Sequence, residues 1–287
     1  MTITLTTLCE NTAARVGIRA EWGLSILVET DEVAILLDAG HSTVATLNAA
    51  VLGVDLSALH TIVLSHGHRD HTGGLWSVLS AIQKDPALRE EARAVNVVAH
   101  PDIWVPKYSG PVHENIYAGM PHVREALESL GAAFVSTSEP AQITNRILTT
   151  GEIPMDTAYE RVDPELYVRD EGGVRPDPMA DDLALIITTD LGLVVVLGCA
   201  HRGIVNTLLQ AQSVANEDRI HMVIGGTHLM KASEEQLKAT IKGLKALDVA
   251  RIGVSHCTGL PAVLKLSEAF GDQFFFNNAG TRITIED

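Results

Sequence analysis

The stretch that decides the fold is Ser65–Gly74, which reads SHGHRDHTGG. It places four potential metal ligands within six residues: His66, His68, Asp70 and His71. The apolar run TIVL comes directly before it, and GGLWSVLSAIQKD, which has helical periodicity, overlaps its end. Because imidazole and carboxylate are donors suited to zinc, iron or manganese, the stretch predicts a metal site between a strand and a helix.

The spacing inside this stretch indicates how the ligands divide. His66 and His68 are two residues apart, so on an extended chain they lie on one side and can converge on one ion. Asp70 and His71 fall at the turn into the helix and can contact a second ion. We therefore expect two divalent cations.

Composition limits the class of protein. The chain has 287 residues, of which 46% are hydrophobic and 20% charged, so an extensive apolar core is available and wholesale disorder is excluded. Its 36 acidic and 21 basic residues give a formal charge of -15, and no basic run offers a patch for nucleic acid.

Cellular location can be predicted from what the sequence contains. No stretch approaches the roughly 18 uninterrupted apolar residues of a membrane-spanning helix, and the N-terminus lacks the pattern of a signal peptide. Cys9, Cys199 and Cys257 form no disulfide framework and suit a reducing compartment. We expect a cytoplasmic protein that binds a small-molecule substrate and neither nucleic acid nor a membrane.

Strand-like and helix-like stretches alternate at both ends of the chain, which predicts an α/β fold. A helix is predicted over IVNTLLQAQSVAN, and another begins at Ser233, where Gln236 completes a capping-box pattern. The runs that predict strands are SILVET, VAILLDAG, TIVLSHG, AVNVVAH, LALIITT, LVVVLGCAH, HMVIGGTH and RIGVSH.

The pattern is looser between His100 and Asp181, where most of the prolines and all four tyrosines fall. Amphipathic aromatic side chains suit pocket walls and lids, but they can equally pack a subsidiary core. We predict a single domain over residues 1–287, with residues of about 101–180 inserted as a cap beside the metals.

The HxHxDH pattern of residues 66–71 resembles the motif with which the metallo-β-lactamase superfamily binds one or two metal ions. The resemblance implies a four-layer αββα sandwich with the metals at one edge of two sheets. It also implies further ligands from strand ends in the C-terminal half. His201, which follows LVVVLG, and His256, which ends RIGVS, are the candidates.

Superfamily members commonly have a bridging aspartate where this chain reads GCAH over Gly198–His201. Cys199 could act there as a thiolate ligand, or His201 could replace or supplement the carboxylate. We favour His201 because RGIVN predicts a sharp helix entry behind it. For Cys199, the role of a small buried hydrophobe is as well supported as that of a ligand. His100, at the end of VVAH, is a reserve ligand.

The resemblance extends over most of the chain through CENTA, AEWGLSILVE, LLDAG, VVAHPD, TTGEIP, DDLALII, LGCAHRGIVN, IGGTHL and HCTG. Together these elements resemble the subfamily of 7,8-dihydropterin-6-yl-methyl-4-(β-D-ribofuranosyl)aminobenzene 5'-phosphate synthases and related bacterial metal-dependent hydrolases. Such membership indicates the scaffold better than the reaction. We expect a hydrolase of a small ester, lactone, amide or phosphoester. The alternatives are a synthase that forms a C–N bond and a metal-retaining binding protein without turnover.

Roles follow from the resemblance and from side-chain chemistry. Asp70 can orient a metal-activated water or take a proton from it, and His228, which ends the strand of IGGTH, is expected to act in catalysis beside the metals. Zinc is the expected metal, with manganese or iron as alternatives. Scattered basic residues of the insertion, such as Arg161, would suit an anionic or phosphorylated substrate.

The expected metal ligands are His66, His68, Asp70, His71, His201 and His256. The histidines expected to have only surface or structural roles are His41, His60, His113, His122 and His221.

Overall fold

The alternating strands and helices form two units in the computed structural model, which describes residues 2–83, 94–170 and 172–286. Unit 1 contains the HxHxDH stretch, and unit 2 contains most of the C-terminal half. Unit 1 comprises Met1–Thr137, Glu165–Pro176 and Asn278–Asp287, and unit 2 comprises Ser138–Pro164 and Asp177–Asn277.

Unit 1 is built on a seven-stranded mixed sheet with the order β18-β1-β2-β3-β4-β5-β8. Strands β3, β4, β5 and β8 run parallel, and the remaining pairs are antiparallel. Strand β4 lies between β3 and β5 and is buried along its whole length, as its continuous apolar run predicts. The strands are β1 (Thr2–Cys9), β2 (Ser25–Thr30), β3 (Ala34–Leu37), β4 (Thr61–Val63), β5 (Val95–Ala99), β8 (Ala132–Ser136) and β18 (Arg282–Glu286).

Four α-helices of unit 1 are described: α1 (Val44–Leu52), α2 (Arg69–Thr72), α3 (Leu75–Ile82) and α4 (Arg124–Glu128). Helix α3 buries Leu75, Val78, Leu79 and Ile82, the spacing of one helical face. These side chains join the apolar core that also contains Leu36 of β3 and Ile62 of β4. The helix predicted over GGLWSVLSAIQKD is therefore confirmed as far as Ile82, and its last two residues lie outside the described residues.

A four-stranded sheet, of order β12-β11-β6-β7, occupies part of the predicted insertion within unit 1. Its strands are β6 (Lys107–Ser109), β7 (Ile116–Tyr117), β11 (Leu166–Asp170) and β12 (Gly173–Pro176). The ring of Tyr108 stacks on that of Tyr167 and meets the ring of Tyr117 edge-on, with both pairs of ring centroids 5.5 Å apart. These three tyrosines therefore pack against one another, whereas Tyr159 belongs to unit 2.

Unit 2 is built on a second seven-stranded sheet, of order β17-β16-β15-β14-β13-β10-β9. Strands β14 to β17 run parallel to one another, with helices between them along the chain, and β14 pairs antiparallel with β13. The strands are β9 (Gln142–Thr144), β10 (Ile147–Thr149), β13 (Ala184–Thr189), β14 (Gly192–Leu197), β15 (Ile220–Gly226), β16 (Arg251–Ser255) and β17 (Phe274–Phe276). The α-helices are α5 (Ile204–Ala215), α6 (Glu234–Ala246) and α7 (Leu260–Phe270).

The capping prediction for α6 is confirmed, because the hydroxyl of Ser233 accepts the amide N–H of Gln236. Leu244 of this helix is buried in the core of unit 2, and Leu237 and Ile241 pack against that core. No helix within the described ranges is long and apolar enough to cross a membrane. None of the three cysteines forms a disulfide, and all three are buried.

Candidate metal centre

The metal-ligand stretch of unit 1 begins where β4 ends, and a buried carboxylate from the neighbouring strand organises it. Asp38 follows β3, adopts φ +58° and is fully buried. Its Oδ1 accepts the backbone N–H of Ser65 at 2.7 Å, and its Oδ2 accepts the Ser65 hydroxyl at 2.6 Å. Oδ2 also lies 2.6 Å from Nδ1 of His71. Asp38 thereby fixes both the backbone and a ring of the metal-ligand stretch.

These hydrogen bonds also determine which ring nitrogens of His66 and His71 are available to bind a metal. Because the Ser65 hydroxyl donates to Asp38, its oxygen accepts from Nδ1 of His66, 2.9 Å away. The carboxylate of Asp38 can only accept, so Nδ1 of His71 is a donor as well. In both rings Nε2 is then the nitrogen with the lone pair that a metal needs.

The four predicted ligands of unit 1 lie together. The ring centroid of His66 is 4.7 Å from that of His68 and 4.2 Å from that of His71. Asp70, on the short helix α2, places Oδ2 3.9 Å from Nε2 of His71, and its side chain is 19% exposed. The three histidines are buried. A cluster of buried imidazoles beside one accessible carboxylate has the donor chemistry of a divalent-metal site.

The glycines that close this stretch allow the close approach of another loop. A Cβ on Gly73 would lie 2.2 Å from the carbonyl oxygen of His41, and one on Gly74 would lie 2.0 Å from that of Ala39. Glu21 holds this loop, since its Oε1 accepts the backbone N–H groups of His41 and Ser42 at 3.0 Å each. The sequence shows Asp38 only as the acidic residue of LLDAG, and Glu21 only as part of AEWG. Sequence reasoning therefore assigned neither of them a role.

In unit 2, three adjacent parallel strands end in residues that the sequence singled out. Strand β14 leads into Cys199 and His201, β15 into His228, and β16 into His256 and Cys257. His228 has φ +48° and His256 φ +54°, a left-handed conformation that costs free energy in a non-glycine residue. Such strain commonly marks a functional site.

Two overlapping groups of potential ligands result within unit 2. The ligand atoms of Cys199, His201 and His228 all lie within 4.8 Å of one another, and so do those of Cys199, His256 and Cys257. The rings of His201 and His228 are 4.2 Å apart. A small cavity beside them is lined by Arg161, Gly203 and Leu229, among others. Unit 2 therefore has a side-chain group that could hold a metal ion next to a cavity.

Two carboxylates position the start of α5, directly after His201. Glu160 accepts the N–H groups of Val205 at 2.9 Å and Asn206 at 2.8 Å. Asp182 accepts the N–H of Arg202 at 2.9 Å. The first N–H groups of a helix have no partner within the helix, so these carboxylates satisfy them and fix the loop that contains His201. The sharp helix entry predicted from RGIVN is confirmed.

Burial and neighbouring groups shift the pKa of two side chains in unit 2. It raises the pKa of Asp182 to about 7, although the amide of Arg202 favours the ionised form. Burial disfavours protonation of His228, but its interactions with Asp163 and with the sulfur of Cys257 outweigh this effect and raise its pKa to about 10. Nε2 of His228 is 3.8 Å from Oδ2 of Asp163, which also contacts Nζ of Lys231 at 3.1 Å.

Several other predicted residues have structural contacts. Nδ1 of His100 accepts the N–H of Asp102 and caps the 3₁₀ turn Pro101–Trp104, so this reserve ligand has a structural role at that nitrogen. Nε2 of His122 is 3.0 Å from the carbonyl oxygen of Gly73. A surface or structural role is expected for His122 from the sequence, and in the structure it contacts the backbone close to His71.

Comparisons with known proteins identify the family. The profile of the metallo-beta-lactamase superfamily matches residues 23–201. A 7,8-dihydropterin-6-methyl-4-(beta-D-ribofuranosyl)-aminobenzene-5'-phosphate synthase of Methanocaldococcus jannaschii is 32% identical over 274 residues, which are 91% of this chain and 89% of that protein. Among solved structures, Tm1679, described as a metal-dependent hydrolase of the beta-lactamase superfamily, has a TM-score of 0.84 and 29% identity. That match covers 99% of this chain and 100% of Tm1679.

The chain belongs to the metallo-β-lactamase superfamily. An uncharacterised protein of the same archaeon is 30% identical over 280 residues, 97% of this chain and 98% of that protein. The resemblance found in the sequence and the metallo-β-lactamase fold that it implied are confirmed. The fold and the synthase relative both indicate an enzyme, as the sequence predicts.

Proposed function

We propose that this enzyme is a metal-dependent hydrolase of a small ester, lactone, amide or phosphoester. The observation that carries the proposal is the buried histidine cluster of unit 1, in which Asp38 and Ser65 engage the Nδ1 atoms of His71 and His66. This arrangement leaves Nε2 of each ring as the nitrogen that would bind a cation, and the carboxylate behind His71 is a common partner of a metal-binding histidine. The likeness to Tm1679 supports the same reaction class.

The proposed ligands supply nitrogen and oxygen donors for two divalent cations, with zinc first and manganese or iron as alternatives. When bound, such cations act as Lewis acids and lower the pKa of water toward neutrality. The ligands are those predicted from the sequence: His66, His68, Asp70, His71, His201 and His256.

Residues of this chain would orient the substrate and move protons. The carboxylate of Asp70 is partly accessible, so it can orient the attacking water and accept its proton. His228 lines the cavity of unit 2 together with Arg161. An imidazole and a guanidinium at one cavity suit an anionic or phosphorylated group of the substrate.

The test is turnover of a panel of esters, lactones, amides and phosphoesters by the zinc-loaded enzyme. We expect hydrolysis of at least one substrate class, loss of at least about 100-fold in Asp70→Asn, and normal activity in the matched variant Asp272→Asn, whose side chain is exposed. Retention of substrates without turnover across the panel would instead support a metal-containing binding protein.

A second candidate function is a synthase of the dihydropterin type. It is favoured by the 32% identity with the archaeal synthase, which extends over 91% of this chain. Incubation with a dihydropterin diphosphate and a ribofuranosyl-aminobenzene phosphate, followed by mass spectrometry, distinguishes the two. A condensed product together with failure of the hydrolysis panel would replace the first proposal by the second.

We also propose a cytoplasmic location and a small-molecule substrate as the partner. The three buried cysteines form no disulfide, which supports a reducing compartment. The formal charge of -15 disfavours nucleic acid. Cell fractionation checks the location, and recovery of the chain with the periplasmic or membrane fraction would contradict it.

A further inference from the structure

The donors at the strand ends of unit 2 differ chemically from those of unit 1, because two of them contain sulfur. Cys199 is the one residue common to both groups of potential ligands in unit 2. Resting on the proposed metal chemistry, we infer that Cys199 binds one of the two cations through its sulfur, together with the imidazoles of His201 and His256.

Distances in unit 2 are compatible with this ligand role. With Zn–S near 2.3 Å and Zn–N near 2.0 Å, the sulfur and nitrogen ligands of one tetrahedral ion lie about 3.5 Å apart. The Cys199 sulfur is within 4.8 Å of a ring nitrogen of His201 and within 4.8 Å of a ring nitrogen of His256, so it is close to both proposed imidazole ligands.

Two buried polar atoms nearby support a cation in this part of unit 2. Oδ1 of Asp182 and Nδ1 of His228 are buried without a hydrogen-bond partner among the described residues. Buried polar atoms normally have a partner, and an ion is one explanation for an exception. Asp182 contacts the backbone directly after His201 through its other oxygen.

The second cysteine has a different function in the structure. The sulfur of Cys257 accepts the N–H of His228 at 3.2 Å and lies 3.7 Å from the carbonyl oxygen of Cys199. It also lies 2.8 Å from where a Cβ on Gly226 would be. Cys257 thus packs between the strand ends and contacts their backbone, so we assign the ligand role to Cys199, which both groups share.

A thiolate in the ligand set narrows the metals that the enzyme can use. Soft sulfur donors favour zinc, cobalt and ferrous iron, whereas magnesium, calcium and manganese prefer oxygen. The inferred site would therefore select zinc or iron over manganese, which the nitrogen and oxygen donors of unit 1 do not do by themselves.

Cobalt is the probe that tests this inference. The full-length chain is stripped with a chelator and titrated with Co²⁺, and the near-ultraviolet thiolate-to-cobalt charge-transfer band is recorded. We expect the band in the wild type and its loss in Cys199→Ser, with zinc affinity reduced at least about 10-fold. Cys9→Ser is the matched control and should keep the band, whereas Cys257→Ser tests the competing sulfur. Serine at position 9 can still donate to Glu21, as the thiol does.

X-ray absorption at the zinc edge of the wild-type protein gives a readout that does not depend on any variant folding. A sulfur scatterer near 2.3 Å is expected. Only nitrogen and oxygen scatterers, or a cobalt band that disappears in Cys257→Ser and persists in Cys199→Ser, would overturn the inference. If a sulfur scatterer is found but the protein has no hydrolase activity, the inference about Cys199 stands and the proposed function is refuted. If the protein hydrolyses a substrate but only nitrogen and oxygen scatterers are found, the proposed function stands and the inference about Cys199 is refuted.

Discussion

Nδ1 of His71 lies 2.6 Å from Oδ2 of Asp38, and both side chains are fully excluded from solvent. The two residues are 33 positions apart in the sequence and meet because β3 and β4 are adjacent parallel strands. A carboxylate behind a histidine fixes the ring orientation and the tautomer, and increases the basicity of the opposite nitrogen. Asp38 therefore determines how His71 presents Nε2.

Replacing this carboxylate should weaken metal binding without unfolding the protein. In Asp38→Asn the shape is retained, and asparagine tolerates the left-handed backbone found at this position. The amide, however, has only one acceptor oxygen, so it cannot accept from the Ser65 backbone N–H on one side and from the Ser65 hydroxyl and His71 on the other. We expect zinc affinity to fall about 10–100-fold, measured by competition with a chelating dye.

The exposed variant Asp272→Asn is the control for the loss of one negative charge. Equal zinc affinities of Asp38→Asn and the wild type would show that the hydrogen bond to His71 does not contribute to metal binding.

Removal of single proposed ligands should reduce the metal content. We expect His68→Ala and His256→Asn each to lose bound metal and any metal-dependent activity. Loss of a residue that only supports a ligand typically lowers metal affinity about 10–100-fold, so loss of a ligand itself should lower it at least as much. Asparagine is chosen at position 256 because it tolerates the positive φ of that residue. Elemental analysis after dialysis, with circular dichroism as a folding check, gives the answer.

The control for these variants is His113→Ala, because the side chain of His113 is 83% exposed. His122 is unsuitable as a control because it contacts the carbonyl of Gly73. A folded His256→Asn with the wild-type metal content would exclude His256 as a ligand.

The comparison of sequence and structure shows which parts of the site could be predicted. His66, His68, Asp70 and His71 could be found because their spacing is local and their chemistry is distinctive. Asp38 and Glu160 could not, because their roles depend on contacts across 33 and 45 residues that exist only once strands and helices pack.

In the insertion, the sequence left two roles open for the tyrosine side chains. Its tyrosines suggested either a pocket wall or a subsidiary core, and a pattern without periodicity cannot decide between them. In the structure Tyr108, Tyr117 and Tyr167 pack against one another in a small sheet. The role of residues 101–180 as a cap stays a prediction, as does the complete set of six metal ligands.

Close approach of the strand ends in unit 2 should make Gly226 irreplaceable. A Cβ there would lie 2.5 Å from the carbonyl oxygen of Gly198 and 2.8 Å from the sulfur of Cys257. We expect Gly226→Ala to reduce the free energy of unfolding by about 1–3 kcal/mol and to weaken zinc binding, because the shift displaces Cys199 and His228. Urea unfolding and zinc competition measure the two effects.

Gly53→Ala is the control that separates the effect of backbone strain on stability from an effect on the metal site. Gly53 has φ +70°, but its Cβ would meet no atom within 4 Å, so the variant should lose stability through backbone strain alone and keep its zinc affinity. Wild-type zinc affinity in Gly226→Ala would contradict the claim that this glycine shapes the site.

The last prediction concerns the start of α5. Glu160 accepts the N–H groups of Val205 and Asn206 and the hydroxyl of Thr157. Its side chain also fills the space beside Gly203, where a Cβ would lie 2.3 Å from the carboxylate. We expect Glu160→Ala to reduce the free energy of unfolding by about 1–2 kcal/mol, the usual cost of a lost N-terminal cap.

Because α5 begins three residues after His201, loss of the cap should also loosen the loop that positions this imidazole. Zinc affinity should therefore fall in Glu160→Ala although Glu160 is not a ligand. The control is Glu268→Ala, on an exposed face of α7, which should change neither quantity. Reduced stability with unchanged zinc affinity would mean that the helix entry does not position His201, and Asp182 would then be the residue to test.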